Sequence, residues 1–306
     1  MLKYVIKRIF SSIITVWVVV TLTFILMHAI PGGPFVSEKN IPPEVEAMIK
    51  AQYNLDKPLV WQYSHYLGNL VKFDLGPSLK YKGRTVNDLI SDGISTSAQL
   101  GLVSVMLALF LGLPLGITSA LKQGKWQDNF VMFLSILGIT IPSFVLATLL
   151  LYFFSFKFGW FPSLRWGTWK HFVLPAIALA GSPTALISRL TRSSLLDVVR
   201  QDYIRTSRAK GNPERVVVYK HALKNSVIPV LTYLGPLIAS IMTGSFVIEK
   251  IFSIPGIGRQ FVDSITNRDY TVILGFTVFY AFLLVTCNLL VDIVYVLVDP
   301  RIKIDS

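Results

Sequence analysis

One cysteine, Cys287, stands in 306 residues, so no disulfide can close within the chain. Charge is scarce as well. Asp, Glu, Lys and Arg make up 15% of the residues, where a soluble domain carries about 25%. Acids are the scarcer sign, 17 against 29 bases. The four histidines, His28, His65, His171 and His221, are scattered, which argues against a metal site. The phosphate-binding pattern G-x-x-x-x-G-K-[ST] is missing. Its nearest approximation, Gly116–Trp126, has the wrong spacing and no Ser or Thr after Lys125. The chain is therefore expected neither to hydrolyse ATP nor to hold a cofactor. No paired Ser/His, carboxylate or metal-ligand constellation marks an intramembrane enzyme, and no tandem repeat or low-complexity tract is visible.

What the chain has in quantity is apolar residues. They make up 53% of it, with a mean hydropathy of +0.58. Six runs reach the roughly 20 apolar residues that a bilayer core requires: Ile9–Ile30, Ser97–Leu121, Phe130–Phe156, Phe172–Leu190, Val227–Ile248 and Val272–Val298. None alternates as a barrel strand would. The first is too long for a signal peptide and lacks a good cleavage site at Met27-His28-Ala29, so it reads as a retained helix. The fold class expected is an all-α integral membrane protein with six transmembrane helices. Gly112-x-x-x-Gly116 suits a helix-packing face. Pro114, Pro142, Pro175, Pro183, Pro229 and Pro236 read as kinks. Arg189 and Arg192 read as interface anchors, and Asp292 as the partner of a base in the 191–226 loop.

Basic residues orient such a protein, because Lys and Arg resist translocation. Lys3, Lys7 and Arg8 precede the first run with no acid, and the loop Thr191–Ser226 holds eight bases against three acids. Arg301 and Lys303 lie in the tail. Six spans put all three on one side, with both termini inside the cell. The loop Pro31–Thr96 balances seven bases with seven acids and is placed outside. Lys157–His171 has three bases and no acid, but Phe158, Trp160, Phe161, Trp166 and Trp169 suit an interfacial belt. The net charge of +12 is accounted for by topology and anionic lipid. No nucleic-acid motif accompanies it.

Two loops exceed what a connection needs. In the first, Pro42-Pro43 followed by Glu44 and Glu46 marks a helix start, and Leu59–Val71 reads as a second, amphipathic helix of a small ordered lobe. The second is "RTSRAKGNPERVVVYKHALKNSVIP", Arg205–Pro229. Asp202 suits an N-cap or first turn, and Gly211 the left-handed position after a helix. Asn212 suits a new cap, Pro213 the first helical position and Glu214 the first turn. The new helix is expected to reach Lys224, with Val216, Tyr219 and Leu223 on one face. Helix connections usually take about 2–8 residues; this loop has 36. A helical loop that serves only the positive-inside rule is one reading; the length and the thorough capping favour the other, a rigid body that docks a cytoplasmic partner.

"DYIRTSRAKG" followed by "HALKNSVIPVL" resembles the cytoplasmic loop of binding-protein-dependent ABC importer permeases. Arg205-Thr206-Ser207 stands where that family has Glu-Ala-Ala, at a fixed spacing before Gly211. This departs from the general pattern and is similar to the oligopeptide/dipeptide branch. "GWFPSLRWGTWKHFVLPAIAL" (Gly159–Leu179), "SFVIEKIFSIPGIGRQFVDSITNRDY" (Ser245–Tyr270), "NLLVDIVYVLVDPRI" (Asn288–Ile302), Ile30–Pro34 and "YNLDKPL" (Tyr53–Leu59) are similar to that branch too, over essentially the whole chain. The resemblance is to the first permease subunit of an oligopeptide importer. Branches for dipeptides, nickel, glutathione or heme share the pattern.

The resemblance implies a type I (MetI-like) importer permease in the bacterial cytoplasmic membrane. It implies pairing with a second homologous permease, two cytoplasmic ATPases that hydrolyse the ATP, an extracytoplasmic peptide-binding protein and an oligopeptide substrate. Arg205, Thr206, Ser207, Ala209, Lys210, Gly211, Asn212 and Pro213 would form the ATPase-coupling helix. Glu249, Pro255, Gly256 and Gly258 would belong to an external gate or a plain turn. The expected divisions are 1–30 for the tail and first helix, 31–96 for the lobe, and 97–306 for a five-helix core carrying the 191–226 loop. A self-contained secondary transporter is the rival reading. It would show midplane charges or broken helices, and the runs lack midplane charge.

Overall fold

The computed structural model describes residues 2–29, 43–164, 166–242 and 244–298. The side chain of Asp292 lies outside the described ones, as do Arg301 and Lys303. Among the described residues, five helices are long and apolar enough to cross a membrane, or six if one bent pair is counted as a span.

Helix α1 (Leu2–Ala29) is the first of these. Two lobe helices follow, α2 (Pro43–Gln52) and α3 (Leu59–Val71), where the Pro43-Glu44 start and the amphipathic pattern placed them. Helix α4 (Val86–Leu121) starts well before its apolar run, because Thr85 and Asp88 close a capping box around its first turn. Its 36 residues make it about 54 Å long at 1.5 Å per residue.

The third run is not a single rod. Helix α5 (Trp126–Thr140) and helix α6 (Ser143–Leu150) meet at 101° across Ile141-Pro142. Pro142 is thus a break rather than a kink. It has no N–H to donate and it holds the preceding residue out of the helical region, and Ile141 is accordingly extended, with φ −78° and ψ 118°. A π-helical segment, Leu151–Lys157, continues α6. Pro114, Pro175, Pro183 and Pro236 stay inside continuous helices.

Helix α7 (Trp169–Val199) outruns its apolar run by nine residues, so the loop after it begins at Arg200. Helix α8 (Asp202–Ala209) follows, then α9 (Glu214–Val216), a π-helical segment (Val217–Ala222) and α10 (Leu223–Ser226) in unbroken succession. The fifth run divides into α11 (Ile228–Met242) and α12 (Phe246–Ile251). Helices α13 (Ile257–Thr266) and α14 (Tyr270–Val298) complete the chain.

Three buried clusters run in sequence along α4. Val86, Leu89 and Ile90 pack with Leu75, Ile257, Val272 and Phe276 at the lobe end. Leu100, Val105 and Ala108 pack with Leu174, Leu237 and Ile248 in the middle. Ile117 and Ala120 pack with Leu195, Ile204 and Val217 at the opposite end. The glycines of Gly112-x-x-x-Gly116 do press α4 against α7. A Cβ on Gly112 would lie 2.9 Å from the Thr184 carbonyl, and one on Gly116 2.6 Å from that of Ser188. Only residues without a side chain allow this approach. The outer faces remain apolar and exposed, as at Phe10, Ile13, Trp17 and Leu22 of α1, which suits acyl chains rather than water.

Candidate functional site

The helix–turn–helix body sits at the end of α4 and α7 that lies opposite the lobe. Helix α8 begins at Asp202 with Gln201 as its N-cap, and ends at Ala209 with Lys210 as its C-cap. Gly211 has φ +77°, the left-handed conformation its position called for. Its amide donates to the Arg208 carbonyl at 2.9 Å. Pro213, expected as the first helical residue, is instead the N-cap, extended at φ −63° and ψ 145°, and Glu214 opens the helix. Asn212 lies before the cap and donates from Nδ2 to Ser207 Oγ at 3.0 Å.

An ion pair spans this turn. Arg208 donates from Nε and Nη2 to the two Glu214 carboxylate oxygens, at 3.1 and 2.7 Å. The guanidinium holds the Glu214 carboxyl below its usual range. Asn225 Nδ2 also donates to the Tyr203 hydroxyl at 2.8 Å, joining α10 to α8. The segment is therefore tied to itself at three points. Ile204, Ser207, Val217, Val218 and Ala222 face inward. The expected face of Val216, Tyr219 and Leu223 is displaced, and Tyr219 is 60% exposed. The π-helical register adds a residue to the turn, which shifts the buried stripe. Arg205, Thr206, Ala209, Lys210, Gly211 and Pro213 are all exposed. Tyr203 and Tyr219 are exposed as well.

A second constellation occupies the lobe end. Glu249 is fully buried. Ser97 donates its hydroxyl to Glu249 Oε1 at 2.7 Å and accepts from the Ile257 amide at 3.0 Å. The Arg259 amide donates to Glu249 Oε2 at 3.1 Å. The structure thus brings Glu249, Gly256 and Gly258 together, while Pro255 points outward. The glycines are required by crowding, since a Cβ on Gly258 would sit 3.1 Å from Glu249 Oε2 and one on Gly256 would overlap Ser97 Oγ. Gly244, at φ +87°, presses on the same carboxylate. Sequence reasoning missed Ser97, whose partner lies 152 residues away, and Gly244, whose closeness to Glu249 and Gly258 appears only once the chain has folded.

Two further polar ties and a set of aromatic rings lie at the ends of the bundle. Arg192, expected as an interface anchor, forms a two-armed ion pair with buried Asp128. Asp269 is fully buried and accepts from the Leu79 and Lys80 amides and the Ser78 hydroxyl, fastening the 77–81 loop to the start of α14. Aromatic rings of 154–172 gather at the lobe end, with Phe158 and Trp160 stacked at 5.2 Å and Trp166 and Phe172 tilted at 4.0 Å. Among the described residues, no group of three or more His, Cys, Asp or Glu could hold a metal ion.

A bundle of broken and continuous spans, with α2 and α3 toward one end and a self-bonded helical body at the other, defines a multi-pass membrane protein. The chain belongs to the family of binding-protein-dependent transport system inner membrane components. That family's model matches residues 112–304, and the model of its N-terminal part matches residues 1–79. The dipeptide transport system permease DppB of Bacillus subtilis is 48% identical over 304 residues, covering 99% of both chains. The oligopeptide transport system permease OppB of Salmonella typhimurium is 42% identical over 305 residues, covering 99% of this chain and 100% of that one. Among solved structures, the inward-facing MetNI methionine ABC transporter aligns with 69% of this chain and 96% of its own at a TM-score of 0.55. At 16% identity that likeness establishes the fold alone, an all-helical membrane bundle like that of the MetNI chain.

Proposed function

We propose that the chain is one membrane-spanning half of an ATP-driven importer of short peptides. Its partners are a second homologous permease, two cytoplasmic ATPases and an extracytoplasmic binding protein. The observation that carries this reading is the body Asp202–Ser226. It is bonded to itself across Gly211 and presents Arg205, Thr206, Ala209, Lys210 and Pro213 outward. A docking lever must be rigid, and this segment has the bonds to be so. Full-length similarity to relatives named for dipeptide and oligopeptide transport supports the substrate class.

In this reading the divisions are 1–30, a lobe over 31–96 and a core over 97–306, with both termini and the coupling body in the cytoplasm. ATP is hydrolysed by the partner subunits, since this chain offers no phosphate-binding loop. The chain's own part is mechanical. ATPase closure moves α8 and α9 as a unit. The buried tie of Ser97, Glu249, Gly256 and Gly258 at the other end of α4 then acts within the external gate. The test is copurification followed by uptake. Tagged chain should bring down a second permease and two ATPases, and vesicles holding the complex should take up tetra-alanine only with ATP and the binding protein. Uptake by this chain alone, driven by an ion gradient, would make it a secondary transporter.

A further inference from the structure

We infer that the break between α5 and α6 lines the translocation pathway, and that it recognises the main chain of the passing peptide. This rests on the peptide-import reading above. Pro142 has no N–H for the Gly138 carbonyl, and the chain leaves the helix before Ser143 could donate to Ile139. Among the described residues no backbone amide closes on either carbonyl.

The break lies at mid-span. A Cβ on Gly138 would meet Ala185 Cβ at 2.9 Å and the Gly181 carbonyl at 3.1 Å, and both residues stand halfway along the 31-residue α7. The segment makes a single crossing. Asp128, near the start of α5, is held by Arg192 near one end of α7. Leu150, Leu151 and Phe154 pack against the cluster that holds Leu174 and Ile248, and α6 touches α12, whose Glu249 lies at the lobe end.

Irregular backbone at this depth is tolerated where protein buries it or where it lines a water-filled cavity. Helix α7 covers one side. The other side is open, with Thr140, Pro142, Ser143 and Thr148 exposed. Facing acyl chains, those carbonyls would have no donor. No charged residue lies between Asp128 and Lys157, so the site is neutral, its free carbonyls and the hydroxyls of Thr140 and Ser143 set among exposed Ile139, Phe144 and Leu149. It suits a ligand rich in N–H and C=O groups rather than an ion. Every residue of a peptide offers that pair except at proline, whatever its side chain. A site of this kind holds peptides without selecting among their sequences.

The test uses the assembled transporter in nanodiscs, in a Cys287→Ser background. Thr140→Cys and Ser143→Cys are compared with Ile14→Cys on the exposed face of α1, each variant retaining its ATPases on purification. A small charged thiol reagent should modify the first two about tenfold faster than the third, because water reaches them. Excess tetra-alanine should slow that reaction severalfold, and tetra-N-methylalanine, which keeps the side chains but loses main-chain N–H groups, should not. Reaction no faster than at Ile14→Cys overturns the inference. So does fast reaction that tetra-alanine leaves unslowed while still stimulating ATP hydrolysis, an outcome in which peptide import stands. Equal slowing by both peptides overturns main-chain recognition. If no peptide slows the reaction or stimulates hydrolysis, the substrate class itself is wrong, and this inference falls with it.

Discussion

Arg192 closes on Asp128 with both arms of its guanidinium, Nε to Oδ1 at 2.7 Å and Nη2 to Oδ2 at 2.8 Å. The carboxylate also accepts from the Ser119 hydroxyl and the Gly124 amide. Four elements therefore meet on one buried acid: the end of α4, the turn after it, the start of α5 and the last third of α7. Arg192→Met would strand that charge. Removing one partner of a buried pair costs about 3–5 kcal/mol. The lower figure applies, because the Arg192 side chain is 24% exposed and Asp128 keeps two other donors. Thermal unfolding in detergent should show a clear loss for the single variant and recovery of much of it in Asp128→Asn/Arg192→Met. An unchanged unfolding temperature in Arg192→Met would show the pair to be idle.

The buried carboxylate at the lobe end gives a graded prediction. Glu249→Ala leaves the Ser97 hydroxyl and the Arg259 amide without their acceptor, and each buried unsatisfied group costs about 1–3 kcal/mol. Glu249→Gln keeps one acceptor oxygen and should be milder. Gly256→Ala should be as severe as Glu249→Ala, since its methyl would overlap Ser97 Oγ and Glu249 Oε2. Unfolding temperature and ATP-dependent uptake measured on all three would order them. A Glu249→Ala variant no worse than Glu249→Gln would mean that the tie contributes little.

What could be read from the residues alone followed the range of the interaction. Helix α3 and the left-handed Gly211 depend on neighbours a few residues away, and both were legible. The apolar runs marked the spans because bilayer thickness fixes their length. The 101° break at Ile141-Pro142 was not legible, since Pro114, Pro175, Pro183 and Pro236 give the same local signal without breaking a helix. The face of Tyr219 was misread because a 3.6-residue period was applied to a π-helical segment. The ties of Glu249 to Ser97 and of Arg192 to Asp128 reach across 152 and 64 residues. Nothing in either local stretch announces its partner.

The orientation proposed from the charge asymmetry is open to direct labelling. Lys82 and Lys220 are both exposed and lie at opposite ends of the bundle. In intact cells, with Cys287→Ser as background, Lys82→Cys should react with an impermeant maleimide and Lys220→Cys only after the membrane is opened. The reverse pattern would invert the topology and remove the coupling body from the cytoplasm.

The lever itself is tested at Gly211. A Cβ there would meet nothing within 4 Å, so a substitution causes no clash. The cost comes from φ +77° alone. A left-handed residue with a side chain costs about 1–2 kcal/mol, and a β-branched one more. Gly211→Ala should therefore weaken coupling modestly and Gly211→Val severely, while both still insert. Lys220→Gln, at an exposed position, should be near neutral. The Arg208–Glu214 pair adds a pH dependence whose sign is fixed. The Glu214 carboxyl is held low by Arg208, so the tie is present above the ordinary carboxylate range and is lost as pH falls through the depressed value. Its contribution is small, because both side chains are more than a third exposed. The decisive measurement is binding-protein-stimulated ATP hydrolysis in vesicles, beside recovery of the ATPases on purification. Lost stimulation with an intact, inserted Gly211→Val chain is the expected result. If that variant transports like its parent, while neutralising Arg205, Lys210 and Arg215 together prevents insertion, the segment serves topology and not coupling.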